Sequence, residues 1–385
     1  MNILFVINSF VGGGAERVFL DMLKNINRSK FEIDVLVVDD FGIHCKEMKE
    51  LVHYQKIIRH VSHPKLIRWF WKAISILKTR YLKWCSPQKL HKKYVKKKYD
   101  IEVAYLEGMA TKIVAGGTSA FKYAWIHTDV LNNPWAEASY RTKEEERLAY
   151  QSMDKVIAVS RSVKEAADKK FQICSEVKYN ILDDQRIRQL AKSDTRTLNK
   201  DKLAIVSVGT LWQAKGYLRL IKCVKRLLQQ GCAVELHLIG DGEDREMLET
   251  YIAQQGLKEK VHLLGFQKDP YGLMCQADMY VCSSYAEGFS TSVTEALILG
   301  VPVVTTKCAG MHELLGDSEY GLIVENSEEA LWQGLHQLVT EDKLRAHYKM
   351  VAMKRGKDFQ IHTNIDKLEK MFLADYEGEK IRGHR

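Results

Sequence analysis

At 385 residues, 46% of them apolar and 28% charged, the chain is long enough for two or three ordinary globular domains, each with its own core. Five prolines and no low-complexity tract exclude a disordered or linker-rich protein. The formal charge of +9 is concentrated: no acidic residue occurs between Glu50 and Asp100, where 14 of the 58 Lys and Arg lie, which leaves 44 basic against 49 acidic residues elsewhere, a net of −5. That block points to a local anionic partner. The eight cysteines are scattered without a C-x-x-C pair, as expected for free thiols in a reducing compartment. Met1 to Phe10 lacks a basic region and a small-residue cleavage site, so it reads as a strand rather than a signal peptide. No apolar run approaches the roughly 18 residues needed to span a bilayer, and a cytoplasmic location is expected.

Asn2 to Ile7 is a continuous apolar run, as for a buried parallel strand. Gly12-Gly13-Gly14 follows, then helical spacing from Ala15 to Asn27 and a second strand from Phe31 to Val38, which together make a βαβ unit. In Leu66 to Trp84, Leu66, Phe70, Ile74, Leu77, Tyr81 and Trp84 recur at steps of three and four, opposite Lys65, Arg68, Lys72, Thr79 and Lys83. With Trp69 and Trp71 nearby, this is the composition of an interfacial helix, and Arg68, Trp69, Trp71, Lys72 and Lys83 are the expected contacts with an anionic membrane surface. A surface helix packed on its own domain has the same amphipathicity and is the alternative. Nucleic acid needs similar charge, but no recognition motif accompanies it.

Further strands are predicted at Ile101 to Tyr105, Lys122 to Ile126 and Lys155 to Val159, with helices at Thr111 to Ala115, Glu137 to Tyr150 and Val163 to Phe171. Gln185 to Asp201 reads as a polar linker. A second alternation starts with Leu203 to Val208 and continues through Val234 to Ile239, Val261 to Leu264, Met279 to Cys282, Val303 to Thr305 and Leu322 to Val324. The fold class is therefore α/β, with two doubly wound domains at 1–184 and 200–357.

The candidate sites cluster at strand-to-helix turns, where an open α/β sheet binds ligands. Tyr285 to Leu297 is the richest: Glu287 and Glu295 bracket Gly288, Phe289, Ser290 and Thr291 where a strand gives way to a helix, a place suited to an anion. Gly209 and Thr210 lead to Lys215-Gly216, with Lys215 expected at a helix start, where an arriving phosphate eases its clash with the dipole. Gly240-Asp241-Gly242 is a supporting turn, and Phe266 with Gln267 stands where a nucleobase could rest. In the first half, Gly12 to Gly14 is an incomplete dinucleotide fingerprint, because Arg17 stands where Gly or Ala belongs. A loop whose bare backbone approaches a ligand is the alternative. His127 ends a strand and faces the ligand side of the sheet, although a lone histidine is often structural. Ser160 can cap the next helix.

Together, Gly12-Gly13-Gly14-Ala15-Glu16, His127, Asn180 with Asp183, Gly209 through Lys215-Gly216, Gly240-Asp241-Gly242 and Glu287-x7-Glu295 resemble glycosyltransferase family 4. The resemblance implies the GT-B architecture, two Rossmann-like domains facing across a cleft, with the last helix, 358–385, returning to the first. It implies retaining, nucleotide-sugar-dependent transfer by a front-face mechanism. Glu287 then meets the donor sugar near the reacting centre and Glu295 the ribose. Ser290 and Thr291 take the diphosphate, Lys215 neutralises it, His127 lies by the transferred sugar, and Gly12 to Gly14 line the cleft. The family usually has Arg where Thr210 stands, so a second cation is missing or replaced. No D-x-D triplet occurs, so no metal cofactor is expected at the diphosphate. The two glutamates do not form a glycosidase pair, which must flank one bond.

The expected activity is hexosyl transfer from a UDP-sugar, rather than a GDP-sugar, to a lipid-linked glycan acceptor in capsule, exopolysaccharide or lipopolysaccharide assembly. The basic segment at 56–98 would hold the enzyme to the inner leaflet. A non-catalytic nucleotide-sugar-binding protein and a GT-B sugar-nucleotide epimerase are the rivals.

Overall fold

The computed structural model describes residues 1–11, 13–59, 68–118, 121–199 and 201–383, with the backbone alone described at 59, 68–75 and 379–383. The chain divides into two compact units, Met1–Ile181 with His362–Arg385, and Leu182–Ile361.

The first unit contains β1 (Asn2–Ile7), α1 (Gly14–Asn25), β2 (Glu32–Asp40), α2 (Cys45–Leu51), β3 (His53–Arg59), α3 (Arg68–Trp84), α4 (Pro87–Tyr94), β4 (Ile101–Ala104), α5 (Met109–Ala115), β5 (Phe121–Ile126), α6 (Lys143–Gln151), β6 (Lys155–Ala158), α7 (Arg161–Phe171) and β7 (Glu176–Val177). Its seven strands are ordered β3-β2-β1-β4-β5-β6-β7, and the pairs are parallel. The order reverses between β1 and β4, so the loops leaving these two strands diverge and open a crevice at their carboxyl ends.

The second unit contains α8 (Asp184–Ser193), β8 (Leu203–Val208), α9 (Tyr217–Gln229), β9 (Val234–Ile239), α10 (Arg245–Gln254), β10 (Val261–Leu263), α11 (Tyr271–Met274), β11 (Met279–Cys282), α12 (Thr291–Leu299), β12 (Val303–Thr306), α13 (Met311–Leu315), β13 (Leu322–Val324), α14 (Glu328–Thr340) and α15 (Asp342–Arg355). The sheet order is β10-β9-β8-β11-β12-β13, again parallel, with its switch point between β8 and β11. Val234, Leu236 and Leu238 on one face of β9 belong to a core shared with Leu220, Val224 and Leu227 of α9 and Leu331 and Leu335 of α14. Each such leucine stabilises the fold by about 1.5–3 kcal/mol through burial.

The last helix, α16 (Ile361–Gly383), belongs to the first unit from His362 on. Phe372 is fully buried there against Phe5, Phe31, Tyr123 and Trp125. Lys155 pairs with Asp375 at 2.9 Å, Lys30 with Glu369 at 3.1 Å, and Asn27 N–H donates to Glu369.

Three segments differ from the sequence reading. The stretch expected to be a linker forms α8, capped by Asp183 and packed on α11 and α12. Its strong amphipathic pattern was masked by a charged composition. The helix expected from Glu137 to Tyr150 is a short 3-10 turn at Trp135–Ser139 followed by α6, whose Thr142 cap accepts from Glu145 N–H at 3.1 Å. β3 was not predicted, because its sequence HYQKIIR alternates polar and apolar residues only weakly.

Candidate functional site

In the second unit the loops that leave β8 and β11 meet at the switch point. After β8 the chain passes Gly209 and Thr210 into a 3-10 turn, Gln213–Lys215. Gly216 then reverses the backbone at φ +65° before α9 begins at Tyr217. A Cβ at Gly216 would stand 2.2 Å from Ser283 O, so only glycine lets the two loops touch. Tyr285 N–H donates to Ala214 O at 2.7 Å and the Ser283 hydroxyl to Lys215 O at 2.8 Å. Lys215 was expected at a helix start. It ends the 3-10 turn, with Gly216 between it and the first residue of α9.

The Lys215 ammonium instead donates to Glu287 Oε1 at 2.6 Å. The same oxygen accepts from the Ser284 hydroxyl at 2.5 Å and the Cys282 thiol at 3.7 Å, which leaves Oε2 for other work. Burial works against the lysine charge, yet the Glu287 carboxylate holds the ammonium above the ordinary lysine value. Lys215 is therefore cationic at neutral pH.

Glu287 leads into α12. Ser290 caps this helix, its hydroxyl accepting from Val293 N–H at 3.4 Å, and Gly300 closes it in the left-handed region. Thr291 and Ser292 follow half-exposed in the first turn, and Gly288 is also half-exposed. Glu295, one turn on, is buried and accepts from the Tyr271 hydroxyl at 3.0 Å. The Phe289 ring is 6% exposed and belongs to the core, so only the backbone of this residue faces the loop's ligand side. Its neighbour Gly288 is half-exposed and Ser290 is buried, and the aromatic ring is better satisfied in the interior.

Gly209, Gly240 and Gly265 follow β8, β9 and β10 along one carboxyl edge. Gly240 lies at φ +146° with Gly209 O 1.9 Å from where a Cβ would be, and its N–H donates to Gly265 O at 2.9 Å. Thr210 is exposed. Phe266 is 52% exposed beyond Gly265. Gln267 is engaged at both ends, accepting from Arg196 at 2.8 Å and donating to Leu264 O at 3.0 Å, so its amide is a bracket for the loop.

Sequence reasoning missed Arg219. This buried residue of α9 donates to Ser283 O at 2.8 Å, Ser284 O at 2.7 Å and Asn326 at 2.8 Å, and lies 3.8 Å over the Tyr285 ring. It clamps the loop that carries Glu287. Its helical spacing made it look like one more solvated charge. Tyr271, the partner of Glu295, was missed for a similar reason: no motif connects them.

In the first unit, His127 follows β5 and is buried. One ring nitrogen, Nε2, is 2.9 Å from Tyr105 O, while Nδ1 has no hydrogen-bond partner among the described residues. Burial pushes the imidazole below its ordinary value, so it is neutral at pH 7. Glu107, which the sequence reading did not single out, follows β4 and organises this edge. Its Oε1 accepts from His127 N–H at 2.7 Å, Thr128 N–H at 2.8 Å and the Thr128 hydroxyl at 2.9 Å. Its Oε2 is buried without a partner among the described residues.

Gly13 caps α1 with extended backbone and Gly14 is the first helical residue, whereas Gly12 lies outside the described residues. Gly13 is approached closely, but by this chain's own Glu16: a Cβ there would meet Glu16 Oε2 at 2.6 Å. Burial raises the Glu16 carboxyl above its ordinary value, with hydrogen bonds from backbone Glu16 and Gly13 opposing the shift.

Of the expected membrane contacts, the side chains of Arg68, Trp69, Trp71 and Lys72 lie outside the described residues, and Lys83 is half-buried. The end of α3 is tied down by Lys112, which donates to Lys83 O at 2.5 Å. Leu77, Tyr81 and Trp84 of the apolar stripe are exposed, at 64%, 43% and 62%. No helix of the described residues is long and apolar enough to cross a membrane.

Two parallel, doubly wound units of this kind are those of the GT-B fold, and solved structures share it. HepE of Anabaena in complex with UDP matches with a TM-score of 0.72 over 97% of this chain and 100% of its own, at 20% identity. WaaG, a glycosyltransferase involved in lipopolysaccharide biosynthesis, matches at 0.64 over 96% and 99%, at 17% identity. Residues 189–355 match the family described as Glycosyl transferases group 1. A Campylobacter jejuni protein named N-acetylgalactosamine-N,N'-diacetylbacillosaminyl-diphospho-undecaprenol 4-alpha-N-acetylgalactosaminyltransferase is 31% identical over 363 residues, 92% of this chain and 94% of that one. The chain belongs to the group 1 glycosyltransferases, as the family 4 motifs implied.

Proposed function

We propose that this glycosyltransferase moves a hexose-type sugar from a UDP-sugar to a hydroxyl of a lipid-linked glycan, with retention at the anomeric carbon. The observation that carries the reading is the Lys215–Glu287 pair held at the β8/β11 switch point, immediately before the amino end of α12. A cation and free helix N–H groups at one edge suit a leaving diphosphate, and the adjoining carboxylate suits sugar hydroxyls. The acceptor class is supported by the diphospho-undecaprenol substrate in the name of the Campylobacter relative. The donor is supported by the UDP bound to HepE.

In this reading the donor lies along the carboxyl edge of the second sheet. Phe266 offers its exposed ring to the base, Gly240 and Gly209 allow close backbone approach, and Glu295 takes the ribose. Thr291 and the α12 N–H groups hold the diphosphate, and Glu287 Oε2 holds the sugar. Lys215 serves two tasks, fixing Glu287 before the donor arrives and offsetting phosphate charge as the bond breaks. Departure of the diphosphate then needs no metal. Thr210 leaves more of that charge to Lys215 and the helix than in relatives with Arg. The leaving phosphate takes the acceptor proton. In the first unit, neutral His127 is assigned to the transferred sugar, with Glu107 positioning its backbone.

The exposed Leu77, Tyr81 and Trp84, within the basic block, support peripheral contact with an anionic leaflet. The test is incubation with a panel of UDP- and GDP-sugars and undecaprenyl-diphosphate-linked glycans, following label into lipid and the product anomer by NMR. Transfer from a UDP-sugar with the donor's anomeric configuration is expected. Isomerised donor, inverted product or exclusive use of GDP-sugars would overturn the reading.

A further inference from the structure

Glu235 and His237 stand two residues apart on β9, so their side chains leave the same face of the sheet. His262 of β10 is directly opposite His237 in the parallel register. The three ligand atoms lie within 4.8 Å of one another. Glu235 Oε2 is 3.9 Å from His237 Nε2 and 3.7 Å from His262 Nε2, and the imidazole rings stack with centroids 4.9 Å apart. Glu235 and His237 are each 7% exposed, while His262 is half-buried and open to solvent on one side.

His237 Nε2 is buried and has no hydrogen-bond partner among the described residues. Such a nitrogen costs roughly 1–3 kcal/mol when left unsatisfied. The opposite face of β9 is filled by Val234, Leu236 and Leu238, so the sheet has an ordinary core there. Two imidazoles and a carboxylate on the other face need a separate explanation.

We infer that Glu235, His237 and His262 form a binding site for a borderline transition-metal ion, Zn2+ in the first instance. Two imidazoles and one carboxylate form a ligand set that Zn2+ accepts, with water in a fourth position. Tetrahedral coordination at about 2.0–2.2 Å requires ligand atoms roughly 3.4 Å apart, so small side-chain rotations close the site. His262 has the solvent-facing room to make them, and its open side is the route of entry. Burial, reinforced by His262, holds the His237 ring down at about 4, so it presents a lone pair at neutral pH. Lys202 donates to Glu235 Oε1 at 2.5 Å, which orients the carboxylate and leaves Oε2 toward the histidines. Lys260 lies beside Lys202, and both ammonium groups oppose an incoming cation, so these two like charges set the limit on affinity.

The site is not a second version of the donor site. Glu235 precedes Gly240 by five residues on β9, about 16 Å at 3.3 Å per residue, and lies toward the amino ends of the strands. An ion there would staple the three-residue edge strand β10 to β9, adding to the core contact of Val261.

The experiment uses the full chain without an affinity tag, stripped of metal and titrated with Zn2+ by calorimetry, with Co2+ absorption as the second readout. One equivalent of Zn2+ is expected, with an upward Tm shift of about 5 °C at a hundredfold excess over Kd. His262→Ala, at a half-exposed position, and the isosteric Glu235→Gln should each weaken binding by about a hundredfold or more and abolish the visible Co2+ bands. No saturable binding, or binding unchanged in both variants, would overturn the inference.

Discussion

The ammonium of Lys215 and the carboxylate of Glu287 lie 2.6 Å apart although they are 72 residues apart in sequence, one on the loop after β8 and the other on the loop after β11. The pair bridges the two loops at the switch point of the second sheet. Coulomb attraction at this distance, partly shielded from water, fixes the carboxylate at little entropic cost, because Ser284 holds the same oxygen. The carboxylate is held by two donors on one oxygen, the kind of preorganisation that a site meeting developing phosphate charge requires.

Arg219 holds that loop from below. Its removal would leave the carbonyls of Ser283 and Ser284 without their charged donor. Arg219→Ala should therefore destabilise the second unit by about 2–4 kcal/mol. Urea denaturation would register this as a lower midpoint. Arg219→Lys should recover only part of the loss, since an ammonium cannot span both carbonyls and Asn326 in the same fork.

Tyr271 should act on donor affinity through Glu295. Tyr271→Phe removes one hydrogen bond and little volume, so folding should be intact. KM for the UDP-sugar should rise about 3- to 10-fold with kcat nearly unchanged, as for a bond that binds ground and transition states alike. An equal fall in kcat would instead give Glu295 a part in the chemical step.

His127 gives the first unit a pH dependence. Its folded value is depressed by burial, so the unfolded chain binds a proton first as pH falls. The stability due to its neutral burial is full above the ordinary imidazole value of about 6.5 and is lost as pH falls through the folded value. In His127→Gln, the denaturation midpoint should therefore fall less steeply between pH 7 and 5 than in the parent. Parallel slopes would contradict the assignment.

The apolar stripe of α3 predicts a membrane test. Leu77→Ser with Trp84→Ser should sharply reduce flotation with vesicles containing anionic lipid, leaving Tm unchanged because both side chains are already in solvent. Replacing Arg68, Lys72 and Lys83 by Glu should remove about 1 kcal/mol of attraction per charge, more at low salt. Undiminished flotation in both sets would leave the basic block without this role.

The sequence made the sheets legible because several buried parallel strands are largely apolar, as in Leu203 to Val208, and because glycine marks many of the turns into a helix. It also put Glu287 and Ser290 after one strand and Lys215 after another, where the structure has β11 and β8. It could not reveal that Lys215 and Glu287 touch, since their proximity depends on β8 and β11 being neighbours at the switch point. Glu107 and Arg219 were hidden for a related reason. Each is a charge buried by long-range packing, and a single sequence gives buried and solvated charges the same pattern. Motif position says where the backbone of Phe289 runs, not that its ring turns into the core. The polar α8 was taken for a linker because its apolar positions are few.

The most direct test of the central claim is the rate of UDP-sugar turnover onto a lipid-linked acceptor in Lys215→Ala and Glu287→Gln. Each should fold with a Tm close to the parent and lose about 10²–10³ in kcat, the effect of removing one preorganised charge at the reacting bond. The double variant should lose little more than the worse single one, because the two residues act as a unit. Near-normal kcat in either single variant would contradict the account.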